Sequence, residues 1–265
     1  MTADAAPTQR RSWTDTPLLG PARSTGKFFA LTLDIFVTLF RSPFAWREFV
    51  EQTWFVARVS VLPALVLAVP FVVLAVFTVN VLLVEFGAAD FSGAGASVSA
   101  VNQLGPFVTV LVVAGAGATA MCADLGARTI REELDAMRVM GIDPVQSLLV
   151  PRVLAATVVA FLLSSLVTLT GLVGAFFFAV YIQHVTAGSF IGGMTILTGL
   201  TDVAVSMVKA TLFGLTAGLI ACYKGVNVGS GPAAVGNAVN QTVVFSFVFL
   251  LVINAVLTAV GFQVA

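Results

Sequence analysis

The stretch VSVLPALVLAVPFVVLAVFTVNVLLV, residues 59–84, runs for 26 residues without a charged side chain. At about 1.5 Å per residue, a helix of that length exceeds the roughly 30 Å hydrocarbon core of a bilayer. Water could not solvate such a helix on any side, and the composition around it agrees. Of 265 residues, 58% are hydrophobic and 10% charged, whereas a soluble domain carries about 25% charged residues. Mean hydropathy is +1.03. The class is an all-α integral membrane protein.

Working outward, four further apolar segments reach spanning length. The spacing predicts membrane helices over 59–84, 106–127, 147–182, 201–223 and 238–262, with Pro63 and Pro70 as kinks in the first and Pro106 opening the second. Residues 86–105 and 184–195 read as loops. Seven basic residues (Arg10, Arg11, Arg23, Lys27, Arg41, Arg47, Arg58) precede the first span, four (Arg128, Arg131, Arg138, Arg152) lie between spans two and three, and Lys224 lies between four and five. The alternate loops have no Lys or Arg, so the basic side is cytoplasmic, the N-terminus inside and the C-terminus outside.

Residues 1–26 are polar, lack an apolar signal core and read as a flexible cytoplasmic tail. Residues 27–57 read as an interfacial helix and elbow. Phe28, Phe29, Leu33, Phe36, Val37 and Phe40 share one side of a helical period, and Lys27, Asp34, Thr38 and Arg41 another, with Leu31 out of pattern. The remainder, 58–262, forms one membrane domain.

Catalytic chemistry has little to work with. His184 is the single histidine; no HExxH, GxSxG or P-loop pattern occurs, and no metal-ligand cluster is visible. The Gly-rich turn KGVNVGSGPAAVGN (224–237) has no preceding strand to make it a nucleotide cradle. Cys122 and Cys222 lie in apolar helices and read as small buried hydrophobes. Asp124 and Lys209 are the intramembrane polar candidates, each needing a partner, a polar cavity or a route to the interface. Small-xxx-small pairs at Ala114/Ala118, Gly115/Thr119 and Gly214/Gly218 permit close helix approach.

One dense knot of charge interrupts the oil: EELDAMRVMGIDP, residues 132–144. Laid on a helix over 130–141, Leu134, Met137 and Met140 fall together with Glu133 among them. Arg131, Glu132, Asp135 and Arg138 take the rest, with Arg131–Asp135 and Asp135–Arg138 at pairing distance. Gly141 suits a left-handed C-cap and Pro144 forbids continuation. A cytoplasmic helix with methionines beside acids suits docking into a groove on another protein.

The run REELDAMRVMGIDPVQSLLVPRVLA (131–155) closely resembles the signature of MlaE/YrbE-type permeases, the membrane subunits of MCE-associated ABC lipid transporters. DVAVSMVKATLFGLTAGLIACYKG (202–225) followed by VGNAVNQTVV is similar to that family's fourth helix and its turn into the fifth. The resemblance covers about residues 40–262, and the long basic N-terminus looks like the actinobacterial YrbE branch. The turn at 226–237 departs from the pattern in lacking charged residues.

That resemblance implies a permease subunit moving phospholipid, fatty or mycolic acid or sterol. It would pair with a second YrbE-type permease, more a paralogue than itself, in the cell inner membrane. An ABC ATPase dimer would bind below, and an MCE hexamer on the outer side. This chain would hold no cofactor and hydrolyse nothing; ATP and Mg would belong to the ATPase, and no nucleic acid is expected. Glu132, Glu133, Asp135, Met137, Met140, Gly141, Asp143 and Arg152 would couple to the ATPase. Phe71, Leu74 and Phe77 of the first span and Phe245 and Phe249 of the fifth would line the lipid cavity. The rival reading is an ATP-independent secondary transporter or channel; the odd span count and the lack of an inverted repeat speak against it.

Overall fold

A computed structural model describes residues 19–41, 44–88 and 91–264. Among them every element is a helix: α1 (Leu19–Leu39), α2 (Trp46–Glu85), α3 (Ser92–Ile130), α4 (Glu133–Val139), α5 (Val145–Tyr181), α6 (Ala187–Leu197), α7 (Leu200–Val226) and α8 (Pro232–Val264). Five of these, α2, α3, α5, α7 and α8, are long and apolar enough to cross a membrane.

Several boundaries differ from the sequence reading. The helix α1 begins at Leu19, inside the segment read as tail; residues 1–18 lie outside the described residues. It shows two apolar sides. Ile35 is buried and Leu31 packs beside it against the core, whereas Phe29, Leu33, Phe36, Val37 and Phe40 are exposed. Leu31 is thus no exception but part of the protein-facing stripe, and Thr38, placed on the polar arc, is buried with it.

The elbow also shrinks, because α2 starts at Trp46 rather than 59. Its charged first turns are stabilised by i,i+4 partners: Arg47 Nε donates to Glu51 at 2.9 Å, and Gln52 Nε2 donates to Glu48 at 2.9 Å.

The segment before Pro106, read as a loop, is helical. Its small residues serve contact rather than flexibility. Ala94, Ala96 and Ser97 are buried, and a Cβ built on Gly93 would lie 1.8 Å from the Phe190 carbonyl oxygen of α6. That short apolar helix, α6, occupies residues also read as loop. Pro106 lies inside α3 because the helix widens to π geometry over Ser99–Leu104 just ahead of it, a second π stretch following at Val113–Gly117. A proline lacks the N–H that would serve the carbonyl four residues back, here Asn102. Lys209 Nζ of α7 donates to that carbonyl at 3.4 Å and to Thr258 Oγ1 of α8 at 2.9 Å. With 3% of its surface exposed, Lys209 therefore ties three spans together instead of reaching for solvent.

The core lies on α5, which packs along α2 and α7. Close approach depends on glycine at the helix seams. A Cβ on Gly171 would meet Val72 at 2.5 Å, and one on Gly214 would meet the Ala156 carbonyl oxygen at 2.5 Å. The Gly214/Gly218 pair is thus an internal α5–α7 seam. Gly115, by contrast, faces open space. Both cysteines are buried and unbridged. The apolar faces of α2 and α8 remain the least covered by the rest of the chain.

Candidate coupling site at the basic end

The last turn of α3, the helix α4 and the first turns of α2, α5 and α8 meet at one end, together with the last turn of α7. Thr129 Oγ1 of α3 donates to the Gly225 carbonyl of α7 at 3.0 Å, fixing two helix ends to each other. Beyond Ile130 the chain turns sharply at Glu132, whose φ is +58°. A non-glycine residue there costs about 1 kcal/mol or more, and such strain concentrates at functional sites.

The helix α4 then runs seven residues and ends in a Schellman motif. Ile142 N–H donates to the Met137 carbonyl at 2.9 Å, Gly141 N–H donates to the Arg138 carbonyl at 3.0 Å, and Gly141 has φ +76°. Asp143 caps the next helix: its carboxylate accepts the Val145 N–H at 2.9 Å, with Pro144 following at the first helical position.

The acidic and basic side chains form one connected line into the membrane domain. Arg131 pairs with Glu133 at 2.8 Å, and Glu133 approaches Arg128 at 4.0 Å. Arg128 pairs with Asp124 at 3.3 Å, and Asp124 with Arg152 at 2.5 Å. Arg152 also lies 3.9 Å from Glu48 of α2. Arg131 therefore serves Glu133 rather than Asp135, while Asp135 pairs with Arg138 at 2.9 Å as its spacing predicts. The Arg152 guanidinium is 0% exposed, and its Nε and Nη1 have no hydrogen-bond partner among the described residues. A buried guanidinium held by acids from α2 and α3 is a rigid junction, since displacing either acid strands a charge in low dielectric. Asp124, read as an intramembrane candidate, is part of this junction.

The coupling residues named from sequence fall into two groups. Glu133 and Arg152 belong to the junction; Leu134 is buried and Met137 half-buried against the core. Outward stand Glu132, which makes no ion pair among the described residues, and Met140, 66% exposed. Sequence reasoning missed Val139, 89% exposed, and Ile142, also exposed. Three large apolar side chains project beyond the ends of the apolar spans, beside a cleft of about 320 Å³ between Phe44 and Asp143. Exposed apolar clusters of this kind mark protein contacts. Their signal in the sequence was present: V139-M-G-I142 is an apolar run inside a polar segment.

The aromatic residues expected in a lipid cavity do not meet within one chain. Phe71, Leu74 and Phe77 are exposed along α2, with Phe77 edge-on to Phe178 at 5.6 Å. Phe245 and Phe249 line a separate groove near the basic end of α7 and α8, which includes none of the α2 set.

Comparison with known proteins agrees with this architecture. Residues 49–260 match the family model described as Permease MlaE. A probable ABC transporter permease protein of Synechocystis is 29% identical over 237 residues, covering 89% of each chain. A probable ABC transporter permease protein of Rickettsia bellii is 27% identical over 251 residues, covering 92% of this chain and 94% of its own length. The intermembrane phospholipid transport system permease protein MlaE of Haemophilus influenzae is 28% identical over 183 residues, covering 69% and 70%. With the match reaching all five membrane helices and taking in Asp124, Arg128, Glu133 and Arg152, this multi-pass membrane chain belongs to the MlaE permease family.

Proposed function

We propose that this chain is the permease subunit of an ATP-driven lipid transporter of the cell inner membrane, coupled to a separate ATPase through α4. The observation that carries the reading is the exposed Val139–Met140–Ile142 tip, mounted on a helix whose other side is locked through Glu133, Arg128, Asp124, Arg152 and Glu48 to three spans. A soluble ATPase gripping the tip moves those spans as it closes. ATP and its magnesium act on that partner, and this chain contributes no hydrolytic group.

The named phospholipid function of the Haemophilus relative supports lipid as cargo. A second permease subunit facing the poorly covered sides of α2 and α8 would enclose the exposed Phe71, Leu74 and Phe77 with Phe245 and Phe249 as a lipid path. MCE proteins would receive or deliver the lipid at the opposite end, around α6. The secondary-transporter alternative loses its best candidates, because Asp124 and Lys209 are each held by protein partners.

The test is purification from the native membrane, followed by ATP-dependent lipid transfer with Val139→Asp combined with Met140→Asp. The expected result is co-purification of an ATPase and MCE proteins with the native chain. The variant should show transfer reduced at least about tenfold at unchanged protein level, in line with loss of an apolar contact centre. A native chain that purifies alone, or a variant that transfers lipid at the native rate, overturns the reading.

A further inference from the structure

Lys224 sits where an apolar groove and a polar pocket join, and neither is used by the junction described above. The groove, about 170 Å³, lies between α1, α7 and α8 and is walled by Phe28, Ile220, Phe245 and Phe249. The pocket, about 350 Å³, opens under the α7–α8 turn and is lined by Asn227, Asn237 and Gln241. Lys224 and Tyr223 belong to both.

The groove is a built feature. Tyr223 donates its hydroxyl to the Ser24 carbonyl at 2.9 Å and meets Phe28 edge-on at 5.4 Å, so α1 is docked there specifically. Lys224 is half-buried; its ammonium lies 4.4 Å from the Phe245 ring centroid and donates to Gln241 Oε1 at 2.9 Å. No acid pairs with it among the described residues. Nor does any acid occur between Lys224 and the end of the chain. An ammonium has three donors, of which Gln241 takes one, and among the described residues no carboxylate offsets its charge.

A cation between an aromatic groove and an amide-lined pocket fits a molecule with an anion joining an apolar tail to a hydrogen-bonding head. We infer that this cleft binds an anionic phospholipid from the cytoplasmic leaflet. The phosphate lies on Lys224, an acyl chain runs along Phe28, Ile220, Phe245 and Phe249, and the hydroxylated head meets the amides of Asn227, Asn237 and Gln241. The turn at 226–237 carries no charged residue, so it supplies neutral hydrogen-bonding groups around that head and no competing acid. Bound lipid would bridge α1, α7 and α8 at their common end.

The cleft shares Phe245 and Phe249 with the lipid path proposed above and so rests on that reading in part, but the test reads binding without ATP, and its failure is distinguishable from a failure of transport. The full-length protein, with any subunits that purify with it, is placed in nanodiscs of phosphatidylcholine containing a minority of phosphatidylglycerol. Retained lipids are then identified by native mass spectrometry. Phosphatidylglycerol is expected to be retained preferentially. Lys224→Gln should cut that preference roughly tenfold, as loss of a charge-assisted contact does. Lys224→Arg should keep it, and Lys27→Gln on exposed α1 should leave it unchanged. Asn237→Leu, on the exposed first turns of α8, should weaken it as well and serves if the Lys224 variants do not fold. A photo-crosslinker at Phe249 should label lipid. Equal retention of both lipids, an unchanged preference in Lys224→Gln, or displacement by inorganic phosphate alone would overturn the proposal. So would a crosslink from Phe249 to a second protein chain in place of lipid.

Discussion

Arg152→Met is expected to lower stability by about 3 kcal/mol, the lower range for removing one partner of a buried ion pair. The low end applies because Asp124 keeps a third of its side chain exposed. For a domain of this size that corresponds to a fall of roughly 10 °C in the thermal midpoint in detergent. Methionine fills most of the volume, so the loss reports charge rather than a cavity. Arg152→Lys should recover only part of it, because a compact, strongly hydrated ammonium is costlier to bury than the guanidinium whose Nη2 reaches both Asp124 and Glu48. Asp124→Asn should fall between the two. A midpoint for Arg152→Met within a degree of the native value would show that the junction does not hold these spans together.

The second large effect is at the α5–α7 seam. Gly214→Val is expected to abolish recovery of monodisperse protein by size-exclusion chromatography. A Cβ there would lie 2.5 Å from the Ala156 carbonyl oxygen and 2.7 Å from both Ala160 Cβ and Thr157 Cα. Two of those atoms are backbone and cannot rotate away, so the helices must separate along their length. Gly214→Ala already overpacks and should cost on the order of 1–3 kcal/mol. Gly115→Ala is the control: nothing lies within 4 Å of its Cβ, and its effect should stay within about 0.5 kcal/mol. Normal recovery of Gly214→Val would mean that the seam is looser than described.

These two sites also show what a sequence can and cannot disclose here. Span number and class were legible because hydropathy is a local property that needs no knowledge of contacts. The capped helix α4 was legible for the same reason, down to Gly141. Arg152 and Asp124 were each visible as odd charges, yet their partnership spans 28 residues and takes in Glu48 from another helix. No periodicity encodes that. The Gly/Ser/Ala stretch ahead of Pro106 misled because small residues signal flexibility in water but close packing between membrane helices. Pro106 misled likewise, since a helix interior accepts proline when the turn before it widens and a neighbouring lysine takes up the carbonyl the proline cannot serve. The pairing within α4 was less legible. Periodicity drew attention to its acids, whereas the structure pairs Glu133 and Asp135 internally and leaves Val139 and Ile142 outermost.

That internal pairing has a kinetic consequence. Around α4, Arg131 answers Glu133, Arg138 answers Asp135 and Arg128 answers Asp124, which leaves Glu132 and Asp143 as the acids beside the tip without an ion pair among the described residues, so the field leaving this surface is modest. A partner that settles on Val139, Met140 and Ile142 receives little long-range guidance on approach. Its association rate constant, followed by surface binding as ionic strength is raised, should change by less than about threefold, far below the decades seen where charge steers an encounter. Residence time, not arrival, is then the quantity that evolution can tune at this joint, one apolar side chain at a time.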